Sequence, residues 1–482
     1  MRTTITLAWI TALIVYLHFI GCIGERTSSP EDILPNVVII FTDDQGWNDL
    51  SSFGSPDIKT PHINRLADEG AKFTSFYVAQ PVCSASRAAL LTGCYPNRIG
   101  IHGALGPESA TGIHEDEVTI AEMLKAEGYS TAIYGKWHLG SGPKFNPLNH
   151  GFDEYFGIPY SNDMWPHHPW QGSVFNFPPL PLYDGFEILD TLEDQSNLTT
   201  QITERATDFI NRNHDNPFFL YVPHPQPHVP LFVSNERSDL SERGLYGDVI
   251  EEIDWSVGQI VKTLRENEIL DNTLIIFTSD NGPWLSYGGH SGSAGPLREG
   301  KGTNWEGGIR VPCVMRYPTQ IPQGTVVDVP IMTIDLLPTV AHLINADLPD
   351  HHIDGKNITD VIAGRSDESP HEAYAFYYHR NELQAIRSGD YKLILPHRYR
   401  TLSGRQGTND GLPIDYEHHD VVKPELYNIA DDISESKDIS GENPEILDRM
   451  LVLAENFRKD MGDRKTEREG TGNREPGRKS SE

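Results

Sequence analysis

The stretch of sequence with the most chemical potential spans residues 81–100 and holds Cys83 and Arg87 four positions apart. If Cys83 opens a helix, Arg87 lies one turn further along the same face. A helix N-terminus favours negative charge through its dipole and its free N–H groups, so a thiol and a guanidinium here suit a site for an anion. Taken alone, the two residues also fit a plainer interpretation, a small buried cysteine before a core helix with a surface arginine.

Pairs of oxygen-bearing side chains follow two apolar runs of the sequence. Asp43 and Asp44 come after one run, and Asp280 and Asn281 come after the other. Continuous apolar runs predict strands buried on both faces of a parallel sheet, and the carboxyl ends of such strands are where an α/β sheet holds ligands. Adjacent carboxylates repel each other unless a cation lies between them, and oxygen ligands favour Ca²⁺ or Mg²⁺. Either pair alone fits an ordinary Asp-rich turn, whereas two pairs favour one site with four oxygen ligands.

Basic and titratable side chains occur in three further segments. Lys136 and His138 are two positions apart and point the same way if the chain is extended, which suits an anion site, although a solvated loop has the same pattern. His228 ends a proline-rich loop in which the prolines remove backbone donors, so histidine side chains carry its polarity. Lys301 lies in a glycine-rich segment that is a poor match to a phosphate-binding P-loop. A lysine held on a tight loop that faces the metal fits this segment better.

The extended pattern around Cys83 resembles the signature of the type I, formylglycine-dependent sulfatases. It reads C-x-A-S-R-x-x-L-L-T-G, and it is joined in the family's order by G-K-W-H-L-G, H-G-F-D, G-I-P-Y-S and G-K-G-T-N-W-E-G-G. The resemblance covers roughly residues 36–440 and is strongest to the branch of arylsulfatase A and N-acetylgalactosamine-6-sulfatase. It implies an alkaline-phosphatase-like α/β sandwich, with a large mixed, mostly parallel sheet between helices.

The resemblance also implies a cofactor set. In that family the cysteine, here Cys83, is oxidised to formylglycine (3-oxoalanine) by a formylglycine-generating maturation enzyme, and the hydrated aldehyde is a covalent nucleophile. Residue 83 would further give an oxygen to one Ca²⁺ ion, together with Asp43, Asp44, Asp280 and Asn281. The sequence departs from the commonest form of the signature, because Ala85 stands where proline is usual. Which maturation system acts on this form therefore stays open.

Roles for the basic residues follow from the same resemblance. Arg87 and Lys136 would steady the diol and the sulfate, and His138 would be the base that helps the second hydroxyl to collapse. Lys301 and His228 would contact the bridging oxygen, one of them as the acid for the leaving alcohol. The function implied is hydrolysis of sulfate esters.

The sequence indicates the substrate less directly. Ser161 matches a serine that contacts sulfate in the branch named above. The segment 165–170, W-P-H-H-P-W, is either a loop whose rings stack on a sugar or a loop packed on its own aromatic rings. A sulfated carbohydrate is therefore the expected substrate. Two alternatives are a phosphatase or phosphodiesterase on the same fold and a non-catalytic protein that binds sulfated glycans.

Composition narrows the class of protein. The chain has 482 residues and a formal net charge of −30, which argues against a nucleic-acid or anionic-membrane surface. It also means that an anionic substrate needs a local cluster of cations. The four cysteines are too few for a disulfide scaffold. The oligomeric state is not indicated.

Residues 1–23 are predicted to be an export signal, with Arg2 ahead of an apolar stretch that ends at small residues. Cys22 also matches a bacterial lipoprotein cleavage site, which would place a lipid on it. Later segments are too short or too polar to predict a membrane span. The protein is therefore expected to be exported, as a periplasmic, extracellular or lipid-anchored enzyme.

The texture of the sequence divides the rest of the chain into three parts. Residues 34–365 are predicted to form the catalytic domain, with a low-pattern insertion at 171–195. Residues 366–461 are predicted to form a small antiparallel sheet with one helix over 444–461. Residues 462–482 are charged and lack an apolar face, which predicts disorder.

Overall fold

The computed structural model describes residues 34–170 and 176–479, so the predicted export signal at 1–23 and the cysteine at its end lie outside the described residues. From Pro35 onward the chain belongs to one compact unit. Numbered along the chain, the strands are β1 (Asn36–Thr42), β2 (Ala71–Tyr77), β3 (Thr111–Gly112), β4 (Ser130–Lys136), β5 (Glu154–Ile158), β6 (Leu180–Asp184), β7 (Glu187–Leu192), β8 (Phe218–Pro223), β9 (Thr273–Ser279), β10 (Arg310–Arg316), β11 (Thr325–Val327), β12 (Ile331–Met332), β13 (Tyr374–Tyr378), β14 (Glu382–Ser388), β15 (Tyr391–Ile394), β16 (His397–Thr401), β17 (Glu417–Val421), β18 (Glu425–Asn428), β19 (Gly462–Asp463), β20 (Arg468–Glu469) and β21 (Gly477–Arg478).

The helices alternate with these strands in the first two-thirds of the chain. They are α1 (Pro61–Glu69), α2 (Cys83–Thr92), α3 (Ile120–Ala126), α4 (Leu198–Asn213), α5 (Leu245–Glu266), α6 (Glu306–Ile309), α7 (Leu336–Ile344), α8 (Thr359–Ile362) and α9 (Pro444–Met461). Among the described residues, no helix combines the length and apolarity needed to cross a bilayer.

The main sheet has 11 strands among the described residues, in the order β11-β2-β10-β9-β1-β8-β4-β5-β6-β7, with β12 paired to β2. Its centre, from β9 to β5, is parallel: Val38 of β1 faces Leu220 on β8 and Ile275 on β9. Every residue of β1 is buried, as predicted for a strand covered on both faces. This confirms the mixed, mostly parallel sheet.

Helices pack in two groups against this sheet. The first group is α1, α4 and α5, whose apolar residues share one core with β1 and β8. The second group is α2, α3 and α7, which pack on one another. Both faces of the central strands are therefore covered, which gives the sandwich predicted from the sequence.

The smaller sheet confirms the predicted C-terminal pattern. Strands β13, β14, β15 and β18 pair antiparallel, and a two-residue turn joins Ser388 to Tyr391. Helix α9 has the predicted bounds and packs on β14. The boundary near residue 365 stays a prediction, because both sheets belong to one compact unit.

The prediction of disorder for residues 462–482 is wrong over residues 462–479. Strand β21 pairs with β3, and Arg474 lies 2.7 Å from Glu117 in an ion pair. Asp463 is fully buried and accepts a hydrogen bond from Arg458 at 2.8 Å. Charged side chains and backbone pairing hold this segment in place. It is therefore ordered although its sequence has no apolar face.

Two further segments differ from the expected pattern. The region predicted as a low-pattern insertion contributes β6 and β7 at the edge of the main sheet, where most β7 side chains are exposed and leave no hydrophobic period. Strand β10 was not predicted from the sequence. It contains Pro312, and a proline argues against a central strand. The structure accommodates that proline with a register shift between Val311 and Cys313.

Candidate active site

Two parallel neighbours deliver acidic residues to the same edge of the main sheet. Strands β1 and β9 pair so that Thr42 faces Ser279, and the next residues are Asp43 and Asp280. The backbone N–H of Asp44 donates to Asp280 Oδ1 at 3.1 Å. The two predicted pairs of oxygen ligands therefore meet, as the strand-end argument required.

Helix α2 brings the thiol and the guanidinium to these acids. It starts at Cys83, as predicted, and all ten of its residues are buried. Cys83 Sγ lies 3.3 Å from Asp43 Oδ1. Arg87 Nη2 lies 3.1 Å from Asp43 Oδ2 and 2.8 Å from Asp280 Oδ2. Arg87 is thus a buried partner of two carboxylates, which excludes the surface arginine of the plainer interpretation.

Strand β4 ends at Lys136 beside the same carboxylates. Lys136 Nζ forms a buried ion pair with Asp43 and donates to Ser161 Oγ at 3.0 Å. The carbonyl of Lys136 accepts a hydrogen bond from Arg87 at 3.0 Å. Both predicted residues, Lys136 and Ser161, therefore lie at the site.

Lys301 pairs with the second aspartate, Asp44, and also reaches Cys83. Its Nζ lies 2.6 Å from Asp44 Oδ1 and 3.4 Å from Cys83 Sγ. Its backbone N–H donates to the Pro283 carbonyl at 2.9 Å, which holds the glycine-rich segment against the strand end. A lysine on a tight loop facing the carboxylates is what the sequence predicted.

His228 completes this side of the site. Its Nδ1 lies 2.6 Å from the Val229 carbonyl, so Nδ1 carries the proton and Nε2 faces Asp44 Oδ2 at 3.5 Å. Sequence reasoning missed the indole of Trp284, which lies 5.5 Å from the His228 ring and 4.6 Å from Lys301 Nζ. The sequence could have indicated Trp284, because it lies four residues after Asp280, just beyond a strand end.

His138 is held in an unusual backbone conformation. Its φ is 63°, a left-handed value that non-glycine residues seldom adopt. Nε2 lies 2.8 Å from the Leu105 carbonyl, so Nε2 donates and Nδ1 keeps its lone pair. Nδ1 is buried without a hydrogen-bond partner among the described residues. Burial, then the charges of Lys136 and Arg87, lower the pKa of His138 well below its usual value, so the ring is neutral.

The donor set fits a metal ion. Ligand atoms of Asp43, Asp44, Cys83 and His228 lie within 4.8 Å of one another, and all four residues are buried. Asn281 Nδ2 donates to Asp44 Oδ1 at 2.7 Å. Its Oδ1 has no hydrogen-bond partner among the described residues, although it is buried. A buried acceptor without a partner costs free energy, and an amide oxygen beside carboxylates is a ligand that Ca²⁺ takes.

Charges at the site are balanced by their neighbours. Burial would raise the pKa of Asp43, but the charges of Lys136, His228 and Arg87 outweigh burial and hold that pKa well below its usual value. Burial and then the charge of Asp43 raise the pKa of the Cys83 thiol, so the sulfur stays protonated. A protonated thiol is a poor nucleophile.

The structure shows how one end of the aromatic segment at 165–170 packs. Trp165 is buried, donates from Nε1 to the Leu192 carbonyl at 2.7 Å, and packs on Phe232. Trp170, by contrast, is 43% exposed. The first tryptophan therefore packs on its own surroundings instead of stacking on a ligand.

Comparisons with known proteins identify the family of the chain. Residues 35–346 match the model of the sulfatase family, and residues 369–475 match the C-terminal region of aryl-sulfatase. The chain is 40% identical over 391 residues to N-acetylgalactosamine-6-sulfatase of Sus scrofa, covering 76% of this chain and 72% of that protein. It is 35% identical over 449 residues to human arylsulfatase A, covering 87% of each.

A solved structure shares the architecture. Ps i-CgsB in complex with k-i-k-neocarrahexaose superposes with a TM-score of 0.74 at 32% identity, covering 88% of this chain and 92% of that one. The fold and the strand-end site thus define a hydrolase of the alkaline-phosphatase-like class. Within that class, the chain belongs to the sulfatase family and is a sulfuric ester hydrolase.

Proposed function

We propose that this enzyme hydrolyses sulfate esters of a saccharide, with a formylglycine made from Cys83 as nucleophile and with one bound Ca²⁺. The observation that carries the proposal is the position of Cys83 Sγ, 3.3 Å from Asp43 and 3.4 Å from Lys301, among buried oxygen ligands. The likeness to a structure holding a neocarrahexaose supports a carbohydrate substrate.

Conversion of Cys83 explains why a buried, protonated thiol lies at the centre of the site. The change requires an oxidant, which a separate formylglycine-generating enzyme would supply, acting here on the form of the signature with Ala85. The hydrated aldehyde supplies one hydroxyl to attack sulfur and a second whose deprotonation lets sulfate leave. His138 Nδ1, neutral and without a partner among the described residues, is suited to take that proton.

Four oxygen-bearing residues would hold the metal, namely Asp43, Asp44, Asp280 and Asn281, with an oxygen on residue 83. When bound, Ca²⁺ supplies positive charge where the sulfuryl oxygens gain charge during attack.

The cations of the chain have separate tasks in this proposal. Lys136 lies between Asp43 and Ser161, and with Ser161 it would bind sulfate oxygens. Arg87 directs its donors to Asp43 and Asp280, so its task is to position those carboxylates as well as to neutralise charge. Such preorganised charge stabilises the transition state without reorganising during the reaction.

The leaving alcohol of a sugar needs a proton. Lys301 and His228 lie on the same side of Cys83, and Trp284 contacts both. Either one can act as the acid, and protonation of a poor leaving group is worth about 10²–10⁴ in rate. Hydrolysis of phosphate esters would use the same charges, so turnover of an aryl sulfate and of the matching aryl phosphate should be compared.

Mass spectrometry of the peptide that contains residue 83 tests the nucleophile. We expect the aldehyde or its hydrate in active enzyme, together with stoichiometric release of sulfate from a sulfated saccharide. Active enzyme with an unmodified thiol would contradict the proposal.

Removal of the metal tests the ligand set. Dialysis against a chelator should abolish turnover, and added Ca²⁺ should restore it and raise the melting temperature until the site is saturated. Asn281→Ala should shift that melting curve to higher Ca²⁺ concentrations. An Asn281→Ala protein whose melting temperature responds to Ca²⁺ like the wild type would remove Asn281 from the ligands.

Location in the cell follows from the predicted export signal. We infer an exported enzyme, in the periplasm, outside the cell or anchored by a lipid on Cys22. Sulfate release measured in the medium and in cell fractions tests this inference.

A further inference from the structure

A cavity of about 540 Å³ lies next to the active site, between the two parts of the chain. One wall is the segment 285–289 that follows β9, and the other is the loop 401–409 that follows β16. Arg243 and Glu299 close its sides. None of these residues belongs to the set that binds sulfate or metal in the proposed function.

The cavity begins where the leaving-group side of the active site ends. Trp284 contacts Lys301, and the next residue, Leu285, lines the cavity. Glu299 is two residues before Lys301, and Arg400, next to the loop 401–409, donates to the Lys301 carbonyl at 3.0 Å. The cavity is therefore connected to Lys301 through the residues that flank its walls.

Close backbone contacts fix the two walls against each other. The N–H of Gly289 donates to the Thr408 carbonyl at 2.8 Å. A Cβ on Gly289 would lie 2.0 Å from Asn409 Oδ1, and one on Gly288 would lie 2.3 Å from the Thr408 carbonyl. Glycine is required at Gly288, where a Cβ would meet the backbone of the loop and φ is 53°, whereas at Gly289 the Asn409 side chain could move aside. The two walls are therefore docked closely in the fold.

The lining suits sugar hydroxyls. It holds donors, acceptors and two leucines, and its two arginines, Arg243 and Arg405, are offset by Glu299 and by Glu417, which lies 3.4 Å from Arg405. A second sulfate would call for an excess of cations, whereas neutral hydroxyls need paired donors and acceptors. The polar lining residues are Arg243, Glu299, Thr401, Ser403, Arg405, Gln406 and Asn409.

We propose that this cavity is a subsite for the saccharide unit next to the one that carries the scissile sulfate, and that it binds that unit through its hydroxyls. The proposal rests on the proposed function, because it assumes a sulfated saccharide at residue 83. It makes the enzyme selective for oligosaccharides over monosaccharides, with the C-terminal part of the chain as the source of that selectivity.

The test compares kcat/KM for an aryl sulfate, a sulfated monosaccharide and the matching di- and trisaccharide. In the wild type, kcat/KM should rise about tenfold or more from monosaccharide to disaccharide. Gln406→Ala removes one exposed hydrogen-bonding group and should reduce this gain about fivefold. Gln406→Trp fills the cavity and should abolish the gain. Melting temperatures of both variants show whether they fold.

A second cavity provides the matched control. It has a volume of about 610 Å³, lies at the opposite edge of the main sheet, and is lined by Gln323, Arg316 and Leu270. Gln323→Ala and Gln323→Trp should keep the wild-type gain with chain length.

The measurements distinguish failure of the subsite proposal from failure of the proposed function. If the wild type hydrolyses the aryl sulfate but gains nothing with chain length, or if Gln406→Trp keeps the gain, the subsite is wrong. If the wild type with converted residue 83 hydrolyses no sulfate ester, the proposed function itself is wrong.

Discussion

The charged groups of the active site and those around Glu306 are buried alike but paired differently. The catalytic cluster joins three carboxylates to three cations: Asp43, Asp44, Asp280, Arg87, Lys136 and Lys301. The structural cluster joins the main sheet to the C-terminal sheet through Glu306, Glu435, Arg310, Arg387 and Lys392.

In the structural cluster, both oxygens of Glu306 are paired. Oε1 lies 2.9 Å from Lys392, and Oε2 accepts from Tyr77 at 2.7 Å and lies 3.3 Å from Arg310. Burial would raise the pKa of Glu306, but Lys392, Arg387 and Arg310 outweigh burial and lower it to about 2. A carboxylate held this way is fixed in its charged form and is not available to a ligand.

Two acceptors beside the catalytic cluster are not used in this way. Asn281 Oδ1 and His138 Nδ1 are buried and have no hydrogen-bond partner among the described residues. Both lie at or beside the ends of parallel strands. The comparison teaches that buried charge alone does not mark function in this protein, because both clusters are buried and only one of them holds a cysteine against its carboxylates.

The largest expected effect is loss of turnover on Cys83→Ala, because the variant cannot form the aldehyde. Activity on an aryl sulfate should fall by roughly 10⁴-fold or more, with the melting temperature kept. Cys313→Ala, at another buried cysteine on β10, is the matched control and should stay active. If Cys83→Ala still turned over substrate, Cys83 would not be the nucleophile, and the catalytic cluster would no longer differ from the structural cluster in carrying a catalytic residue.

Next in size is the effect of Lys301→Ala on poor leaving groups. If Lys301 protonates the departing oxygen, kcat/KM for a sugar sulfate should fall about 10²–10⁴-fold. The loss for a nitrophenyl sulfate, whose leaving group needs no proton, should be smaller. His228→Ala, measured in parallel, identifies the acid as the residue with the larger difference. Equal losses on both substrates would assign Lys301 to neutralising Asp44 instead.

The structural cluster should respond in stability and not in rate. Lys392→Met leaves Glu306 and Glu435 buried without their shared cation, and should lower the free energy of unfolding by about 3–5 kcal/mol. Denaturant unfolding measures this, and kcat of the folded enzyme should be kept. Lys423→Met breaks an exposed pair with Asp438 and should cost about 0.5 kcal/mol or less. A fall in kcat on Lys392→Met would mean that the two clusters are coupled.

The smallest effect concerns Asp254, a buried acid outside both clusters. It accepts the N–H groups of His62 and Ile63 at the start of α1. Burial raises its pKa from 3.8 to about 7, and the two backbone hydrogen bonds only partly oppose burial. The carboxyl binds its proton more tightly when folded, so its contribution to stability is full below about pH 4 and is lost as pH rises through about 7.

Asp254→Asn should therefore flatten the fall in melting temperature between pH 5 and 8. Asp215→Asn, at an acid whose side chain is 86% exposed, is the control and should leave the slope unchanged. An unchanged slope in Asp254→Asn would show that burial without a cation does not raise that pKa.

The parts of the site that could be predicted are those set by local patterns. Asp43 and Asp280 were found because apolar runs predict parallel strands and their ends meet at one edge. Ser161 was proposed only through the family resemblance, and its contact with Lys136 was not predicted, since nothing in a single segment brings two separate loops together.

What could not be predicted depends on contacts between distant segments. Glu306 stands in a glycine-rich signature, but its partners Arg387 and Lys392 come from another sheet. The anchoring of Arg474 on Glu117 joins the end of the chain to its first third, and a compositional rule for disorder has no knowledge of such a partner. Trp284 was missed for the same reason, since its contact with His228 is made only in the fold.

The C-terminal segment has a consequence for the order of events during synthesis. Arg98, just after α2, forms an ion pair with Asp460 and donates to the Gly472 carbonyl at 2.9 Å. The contacts that hold the segment after α2 are therefore complete only when the last part of the chain has been made. Because Cys83 is only 2% exposed in the folded chain, an enzyme that modifies it needs the chain before folding is complete. Protein made where no such enzyme is present would fold with an intact, buried thiol.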